Sequence, residues 1–297
     1  MKKFLYFSLA VLILAASCDK NETYKKPSTE EGDGVTPVPE AVDLGIVVNG
    51  KNIKWASLNL GAENYYDYGD WYAWGEIIPY YTSIWPLKWA KRNETDETPL
   101  RYNWESYIYA NGAKTKLTKY CPNNDIDVAY WDLDAYPSGP DGLTSLQSSD
   151  DPAHKRLGGN WRMPTWQEFD ALMQTMGNED YEWRFKVRAK DDNGNELSDC
   201  NGNKYTGLTI TRRSTGASIY LPAAGLSGYD NTYPIGFYCA SWGFYWSSTL
   251  DTEPDESREN FPSPCNARAF HFDQNVPCAS PGWCWRSYGM SIRPVTE

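Results

Sequence analysis

Short segments in which apolar and polar residues alternate run through most of this chain, and they restrict it to folds built on small β-sheets. Alternation with a period of two is the pattern of a strand that buries one face. One segment has the helical period instead: apolar residues from Phe169 to Met176 follow a capping-box sequence that begins at Thr165, and Gly177 ends the pattern. The predicted strands are residues 42–48, 53–60, 183–190, 208–211, 217–223, 244–248, 267–273 and 291–295. The sequence therefore predicts an α+β fold of short strands with one clear helix.

The first eighteen residues have the pattern of a bacterial lipoprotein export signal. Two lysines precede an apolar run from Phe4 to Leu14, which is too short to span a bilayer core of roughly 30 Å. Small residues then lead to Cys18, the residue that carries acyl chains in such proteins. We expect residues 1–17 to be a signal peptide and Cys18 to be the lipid attachment site. The alternative is an ordinary secretory signal that is cut near Ser17.

Residues 18–40 differ in composition from the rest of the chain. They are rich in charge, Thr, Pro and Gly and have no apolar period, which is typical of a flexible linker. We expect a lipid-anchored stalk over residues 18–40. Because only one set of motifs follows, we expect a single folded domain over residues 41–297.

Composition narrows the classes of ligand. The formal net charge is -11 and is spread along the chain, so nucleic acid is not an expected partner. The chain has 14 Trp and 22 Tyr, more large rings than a core of this size requires, and such rings serve carbohydrate-binding and protein-binding surfaces. The expected ligand-binding residues are aromatic side chains in Gly- and Pro-rich loops: Trp242, Trp283, Trp285, Tyr229 and Tyr233.

Six cysteines besides Cys18 indicate disulfide bonds in an exported chain: Cys121, Cys200, Cys239, Cys265, Cys278 and Cys284. An even count favours pairing, although the sequence does not fix the connectivity. Cys278 with Cys284 is the expected local pair. The chain has no CxxC motif and only two histidines, so we expect no metal site and no cofactor.

Ten short blocks occur in order along residues 41–297. They are VDLG at 42–45, WA at 55–56, NLGA at 59–62, YGD at 68–70, YAWGE at 72–76, LTKYC at 117–121, GGNWRMPT at 158–165, LPAAG at 221–225, YWSS at 245–248 and SIRPV at 291–295. Together they resemble the Fibrobacter succinogenes major paralogous domain. The resemblance is specific because the blocks keep the order of that family, although each block alone is weak.

The resemblance implies a C-type-lectin-like mixed domain with short antiparallel strands, one or two helices and long loops. Such domains are found in exported, often lipid-anchored proteins of the Bacteroidetes and Fibrobacter groups, where they also serve as adhesin tips and as scaffolds for variable loops. Side chains within the blocks would be shared by domains with different ligands, so they are expected to be structural. These are Trp55, Trp74, Trp161, Trp246, Arg162 and Arg293.

Calcium and catalysis have little support in the sequence. Glu253-Pro254-Asp255 is similar to the sugar-binding loop of calcium-dependent lectins, but the lectins' Trp-Asn-Asp signature is absent from the following strand, residues 270–273. No Gly-x-Ser-x-Gly elbow or phosphate-binding glycine loop occurs. One enzyme alternative remains, because formylglycine-generating enzymes share the lectin-like plan and use two cysteines with copper; Cys278 and Cys284 would then be thiols.

These features together predict a non-catalytic cell-surface lipoprotein. We expect it to bind a glycan or a surface protein through the loops between Ser227 and Trp285. The alternative is a structural subunit of a fimbria or an envelope assembly with no small ligand. Asp19 directly follows Cys18. An acidic residue there indicates inner-membrane retention in some bacteria, but in Bacteroidetes lipoproteins it more often accompanies surface export, so we expect an anchor in the outer membrane facing outward.

Overall fold

The computed structural model describes residues 36–80, 101–124, 127–198, 202, 204–228, 238–253, 263–275 and 278–297. The predicted signal peptide, Cys18 and most of the predicted stalk lie outside the described residues. So do Cys200 and the candidate ligand residues Tyr229 and Tyr233. Within the described ranges no helix is long and apolar enough to cross a membrane.

Nine strands are present in the described part of the chain. They are β1 (Ala41–Val48), β2 (Lys51–Ala56), β3 (Tyr181–Arg188), β4 (Thr206–Arg212), β5 (Ser218–Pro222), β6 (Trp242–Leu250), β7 (Asn266–Asp273), β8 (Cys278–Trp285) and β9 (Val295–Thr296). They form three antiparallel sheets with the orders β1-β2-β9, β3-β4-β5 and β6-β7-β8. The first sheet therefore joins the two ends of the predicted domain.

The alternating segments form the strands that the sequence predicts, with three differences. The segment predicted at 53–60 is a strand only as far as Ala56. The last segment contributes only the short β9, because Ser291 makes an isolated bridge to Tyr245 outside that strand. The sequence does not predict β8, since its Pro281 and Gly282 are typical of a loop. β8 is an edge strand of its sheet, and an edge tolerates a residue that has no N–H to donate.

Two short helices accompany the sheets in the described residues, α1 (Pro152–Leu157) and α2 (Trp166–Met173). The predicted capping box of α2 is confirmed: the Glu168 N–H donates to Thr165 Oγ1 at 3.3 Å, and the Thr165 N–H donates to the Glu168 carboxylate at 2.7 Å. α1 is not predicted from the sequence, although Asp151 caps it. Small antiparallel sheets with two helices place the described chain in the α+β or mostly-β class.

The tryptophans of the ten blocks lie in the core, as expected. Trp55, Trp74 and Trp246 are fully buried, and Trp161 is 9 % exposed. Trp55 packs on Phe169 of α2 with 5.2 Å between ring centroids. The other three share a second cluster, which lies against β6 and β7. These rings hold the sheets together and are not available to a ligand.

The two arginines of the blocks have structural partners. Arg293 is fully buried and donates to the carbonyl oxygens of Ala56 at 2.8 Å and Tyr220 at 2.6 Å. It therefore links the first sheet to the second. Arg162 donates to the Glu168 carboxylate, with two bonds of 2.8 and 2.6 Å, and to the Met163 carbonyl oxygen at 3.2 Å.

Arg286, like Arg293, is fully buried in the described part of the chain, and no pattern in the sequence predicts its role. Its guanidinium donates to the carbonyl oxygens of Tyr120 at 2.7 Å, Pro264 at 2.9 Å and Lys119 at 2.8 Å. It also donates to the Tyr107 hydroxyl at 3.0 Å. The guanidinium lies over the rings of Trp74 and Tyr107, at 5.2 and 5.4 Å from their centroids. One side chain thus satisfies polar groups from three separate segments.

We expect Arg286→Lys to lower the free energy of unfolding by about 3 kcal/mol, because a single ammonium group cannot reach four acceptors and leaves buried carbonyls unpaired. Urea unfolding of both proteins measures the difference. Arg213→Lys is the matched control, since Arg213 makes only an exposed pair with Glu182 at 3.4 Å and should change stability by less than about 0.5 kcal/mol. Equal effects of the two substitutions would contradict the structural role of Arg286.

Candidate functional site

The sheet of β6, β7 and β8 has two chemically different faces. Tyr245 and Phe270 are fully buried on one face, in the core cluster that also holds α2. The period of two places Trp242, Phe244 and His271 on the opposite face. Each of these three side chains is half-buried. This second face therefore brings aromatic rings to the border between core and solvent.

Three rings on this face form a triangle and lie in nearly parallel planes. They belong to Trp242, Phe244 and His271 and are named the Trp242 stack from here on. The centroids of Trp242 and Phe244 are 5.8 Å apart, with 12° between the ring planes. The His271 ring lies 5.9 Å from Trp242 and 5.8 Å from Phe244, tilted by 29° and 25°. Tyr238 packs against Trp242 at 5.9 Å and is 45 % exposed. Because the three centroids are almost equidistant, the rings lie side by side rather than in one column.

His271 is held in the stack by β8. Its Nε2 and the Ser280 Oγ are 2.9 Å apart. Gly282 makes room for the ring, since a Cβ at that position would lie 2.6 Å from His271 Nδ1. Burial lowers the pKa of His271, and the Asp273 carboxylate opposes this shift. The imidazole is therefore uncharged at neutral pH, where it packs against Trp242 and Phe244.

The three ligand candidates within the described residues do not form one site, and the expectation that these three lie in loops is wrong. Trp242 begins β6, and Trp283 and Trp285 belong to β8. Trp242 pairs with Asp273, whereas Trp285 pairs with Asn266 at the other end of β7. Asp273 and Asn266 are seven residues apart on β7, so at 3.2–3.4 Å per residue Trp242 and Trp285 are separated by about 23 Å along the strand.

Trp283 and Trp285 have surroundings that differ from those of Trp242. Trp283 lies opposite Arg268 on β7 and is half-buried. Trp285 contacts Trp104, with 6.2 Å between centroids, and Tyr288, at 5.5 Å. Phe244 and His271 are not predicted from the sequence as site residues. The alternation in residues 270–273 could have found His271, because it puts this side chain opposite to Phe270.

The expected disulfide between Cys278 and Cys284 is wrong for this structure. Both residues are free thiols. They lie at positions one and seven of β8, opposite Asp273 and Ala267. Six residues of strand span about 20 Å, whereas a disulfide needs Cα atoms roughly 4.4–6.8 Å apart. The same distance prevents the two thiols from binding one copper ion.

A cleft of about 460 Å³ lies at the other end of β6. Its walls are α1 and the segments of residues 145–148 and 159–165, and its lining includes His154, Trp161 and Glu297. His154 Nδ1 lies 3.3 Å from the Trp161 carbonyl oxygen, which can only accept, so Nδ1 carries a proton. The cleft could hold a small polar group, but its only large aromatic side chain is almost completely buried.

Asp151 forms the floor of this cleft and ties its walls together. Its carboxylate accepts from the backbone N–H groups of Ala153 at 2.9 Å and His154 at 3.0 Å. It also accepts from the Met163 N–H at 2.8 Å. Burial raises the pKa of Asp151, against the effect of these hydrogen bonds. Since both oxygens are engaged by the backbone, the residue is structural.

The structure describes only Glu253 of the Glu253-Pro254-Asp255 loop, which is similar to the sugar-binding loop of calcium-dependent lectins. Glu253 pairs with Arg268 at 2.7 Å, and Arg268 also pairs with Asp251 at 3.1 Å. Pro254 and Asp255 lie outside the described residues. In the part of the chain that the structure covers, no group of three or more His, Cys, Asp or Glu side chains is arranged to hold a metal ion.

Comparison with known proteins finds no match to this chain among family models, curated proteins or solved structures.

We expect His271 to make the protein less stable in acid. Because burial lowers its pKa in the folded state, the neutral ring contributes stability above the unfolded value of about 6.5, and this stability is lost as the pH falls through the folded pKa. His271→Phe keeps a ring in the Trp242 stack and should reduce the loss of unfolding free energy between pH 8 and pH 5. Urea unfolding across this range measures it.

The control is His154→Gln, which removes the only other histidine of the chain. It should leave the acid sensitivity of the wild type in place. If His271→Phe and the wild type lose stability in parallel as the pH falls, His271 is not the group that titrates.

Proposed function

We propose that this chain is a non-catalytic, lipid-anchored protein of the bacterial cell surface that binds a glycan or a surface protein through the Trp242 stack. Its domain would be a Fibrobacter succinogenes major paralogous domain with a C-type-lectin-like plan. The observation that carries the binding proposal is the triangle of half-buried parallel rings on β6 and β7. The predicted export signal and Cys18 support the proposed location at the cell surface.

The chemistry of the stack favours a sugar. The C–H groups of a pyranose carry slight positive charge and pack well on the negative face of an aromatic ring. The stack offers such rings beside a polar group, the Ser280 hydroxyl that lies 2.9 Å from His271 Nε2. A few oriented polar groups at the edge of an apolar surface are what a selective binding site requires.

The state of the cysteines supports a non-catalytic role. The copper alternative needs Cys278 and Cys284 together, but about 20 Å of strand separates them. Two other thiols, Cys121 and Cys265, are fully buried, and burial raises the pKa of each to about 12. Thiols with such pKa values are protonated at neutral pH and are poor nucleophiles and metal ligands.

The structural-subunit alternative is supported by one feature, the edge strand β8. Its half-exposed residues include Trp283 and Cys278, and no strand of the described residues pairs with its outer side. An edge of this kind can accept a strand from another chain. Pro281 in the middle of β8 interrupts the row of donors, so we favour the stack as the main binding surface.

The proposal is tested by a glycan array probed with the full-length protein and with Trp242→Ala. We expect the wild type to bind a glycan class with saturation, and Trp242→Ala to weaken this binding at least tenfold, about 1.4 kcal/mol. Trp285→Ala is the matched control: it also removes a half-buried Trp, but about 23 Å away, and it should bind like the wild type. Thermal unfolding of each variant checks that it is folded.

Calcium and chelator arms of the array separate the possible sites. Binding that persists in chelator and depends on Trp242 supports the proposal. Binding that is abolished by chelator would assign it to the Glu253 loop instead, and loss with His154→Ala but not with Trp242→Ala would assign it to the cleft. If no glycan binds and a stoichiometric protein partner co-purifies with the wild type and with Trp242→Ala, the assembly role is favoured.

A further inference from the structure

Two buried thiols lie in the same part of the core. Cys121 follows Tyr120 in a segment without regular secondary structure, and Cys265 ends a short turn just before β7. Both are 0 % exposed and belong to one cluster of buried side chains. They are 144 positions apart in the sequence, so only the fold brings them together.

The guanidinium of Arg286 fixes the two cysteine backbones beside each other. Its Nη1 donates to the carbonyl oxygens of Tyr120 at 2.7 Å and Pro264 at 2.9 Å. These two oxygens are therefore no farther apart than the sum of the two bonds. Each carbonyl belongs to the peptide group that leads directly into one of the cysteines. The backbone N–H of Arg286 also donates to the Cys265 carbonyl oxygen, at 3.0 Å.

Further contacts bring the side chains into the same region. The turn Asp127–Tyr130 packs on the turn Ser263–Cys265. Cys121 Sγ lies 3.4 Å from the Asp127 carbonyl oxygen, so it points toward this junction. The two thiols are also close enough to influence each other electrostatically.

We propose that Cys121 and Cys265 form a disulfide bond in the mature protein. The proposal rests on the export that the proposed function assumes, because an oxidising compartment is where such bonds persist. The present thiol contacts do not oppose it: Cys121 and Cys265 donate to the Asp127 and Lys114 carbonyl oxygens at 3.4 and 3.3 Å. Thiol donors are weak, so rotating the two side chains toward each other gives up little.

The reaction is a thiol–disulfide exchange. The oxidant is a disulfide, either that of a thiol oxidoreductase of the envelope or glutathione disulfide in the test tube. One cysteine, deprotonated while the chain is still unfolded, attacks the oxidant and forms a mixed disulfide, releasing one thiol of the oxidant. The second cysteine then displaces the remaining thiol. Two protons and two electrons leave the pair, and the oxidant's disulfide is reduced to two thiols.

The test uses the full-length chain, reduced and unfolded in urea and then refolded in a buffer of reduced and oxidised glutathione. Remaining thiols are alkylated, and the protein is digested without reduction and analysed by mass spectrometry. We expect a cross-linked peptide pair that joins Cys121 to Cys265. Recovery of both cysteines as alkylated thiols, or of either one joined to another cysteine such as Cys284, overturns the proposal. The outcome does not depend on glycan binding or on where the protein is located.

Thermal unfolding provides a second measurement. Reductant should lower the Tm of the refolded wild type by about 5–10 °C. It breaks the proposed disulfide and so opens the long loop that this bond closes between Cys121 and Cys265. The double variant Cys121→Ser/Cys265→Ser should show no such difference between its reduced and oxidised samples. Cys278→Ser is the matched control and should keep the full effect of reductant. An unchanged effect of reductant in the double variant would overturn the pairing even if both proteins fold.

Discussion

The buried guanidinium of Arg286 organises the part of the molecule that has little secondary structure of its own. The segments around Trp74, Tyr107 and Tyr120 are not strands or helices, yet their rings and carbonyl groups are buried. Backbone carbonyls in such a core need donors, and a guanidinium supplies five in fixed directions. Arg286 directs its donors to three carbonyls and a hydroxyl, with aromatic rings above and beside it. The proposed disulfide would reinforce the same junction covalently.

The third sheet combines a structural role with a surface role. One face completes the core with Tyr245 and Phe270, and the other continues from the buried Trp246 to the half-buried Trp242 stack. The same strand, β6, thus begins at the surface and ends in the core. A ligand bound on the stack would rest on rings whose backbone is held by a fully packed layer. Rigid support of this kind reduces the conformational entropy that binding has to overcome.

The sequence predicts local features well and distant pairings poorly. The capping box at Thr165 and the alternating strands depend on neighbouring residues, so the pattern is sufficient to find them. β8 was hidden because Pro281 and Gly282 suggest a loop, and only its place at a sheet edge makes them compatible with a strand. The role of Arg286 and the proximity of Cys121 to Cys265 depend on segments far apart in the chain. No local pattern records such contacts. The five aromatic candidates included Trp242. Its partner Phe244 lies two residues later on the same strand, whereas His271 is brought to it by the pairing of β6 with β7.

The position of β1 determines how the domain responds to a mechanical load. β1 is an edge strand, and in the described residues it pairs only with β2. The residues of the proposed stalk lead directly into its first residue, Ala41, whose partner is Ala56. A pull between a bound surface and a membrane anchor would act first on Thr36, which accepts from Arg156 at 3.1 Å, and on Glu40, which bonds to Ser57. The bonds between β1 and β2 would open after these contacts. β1 would therefore be the first strand to detach, while Arg293 and Arg286 keep the remaining sheets and the Trp242 stack assembled.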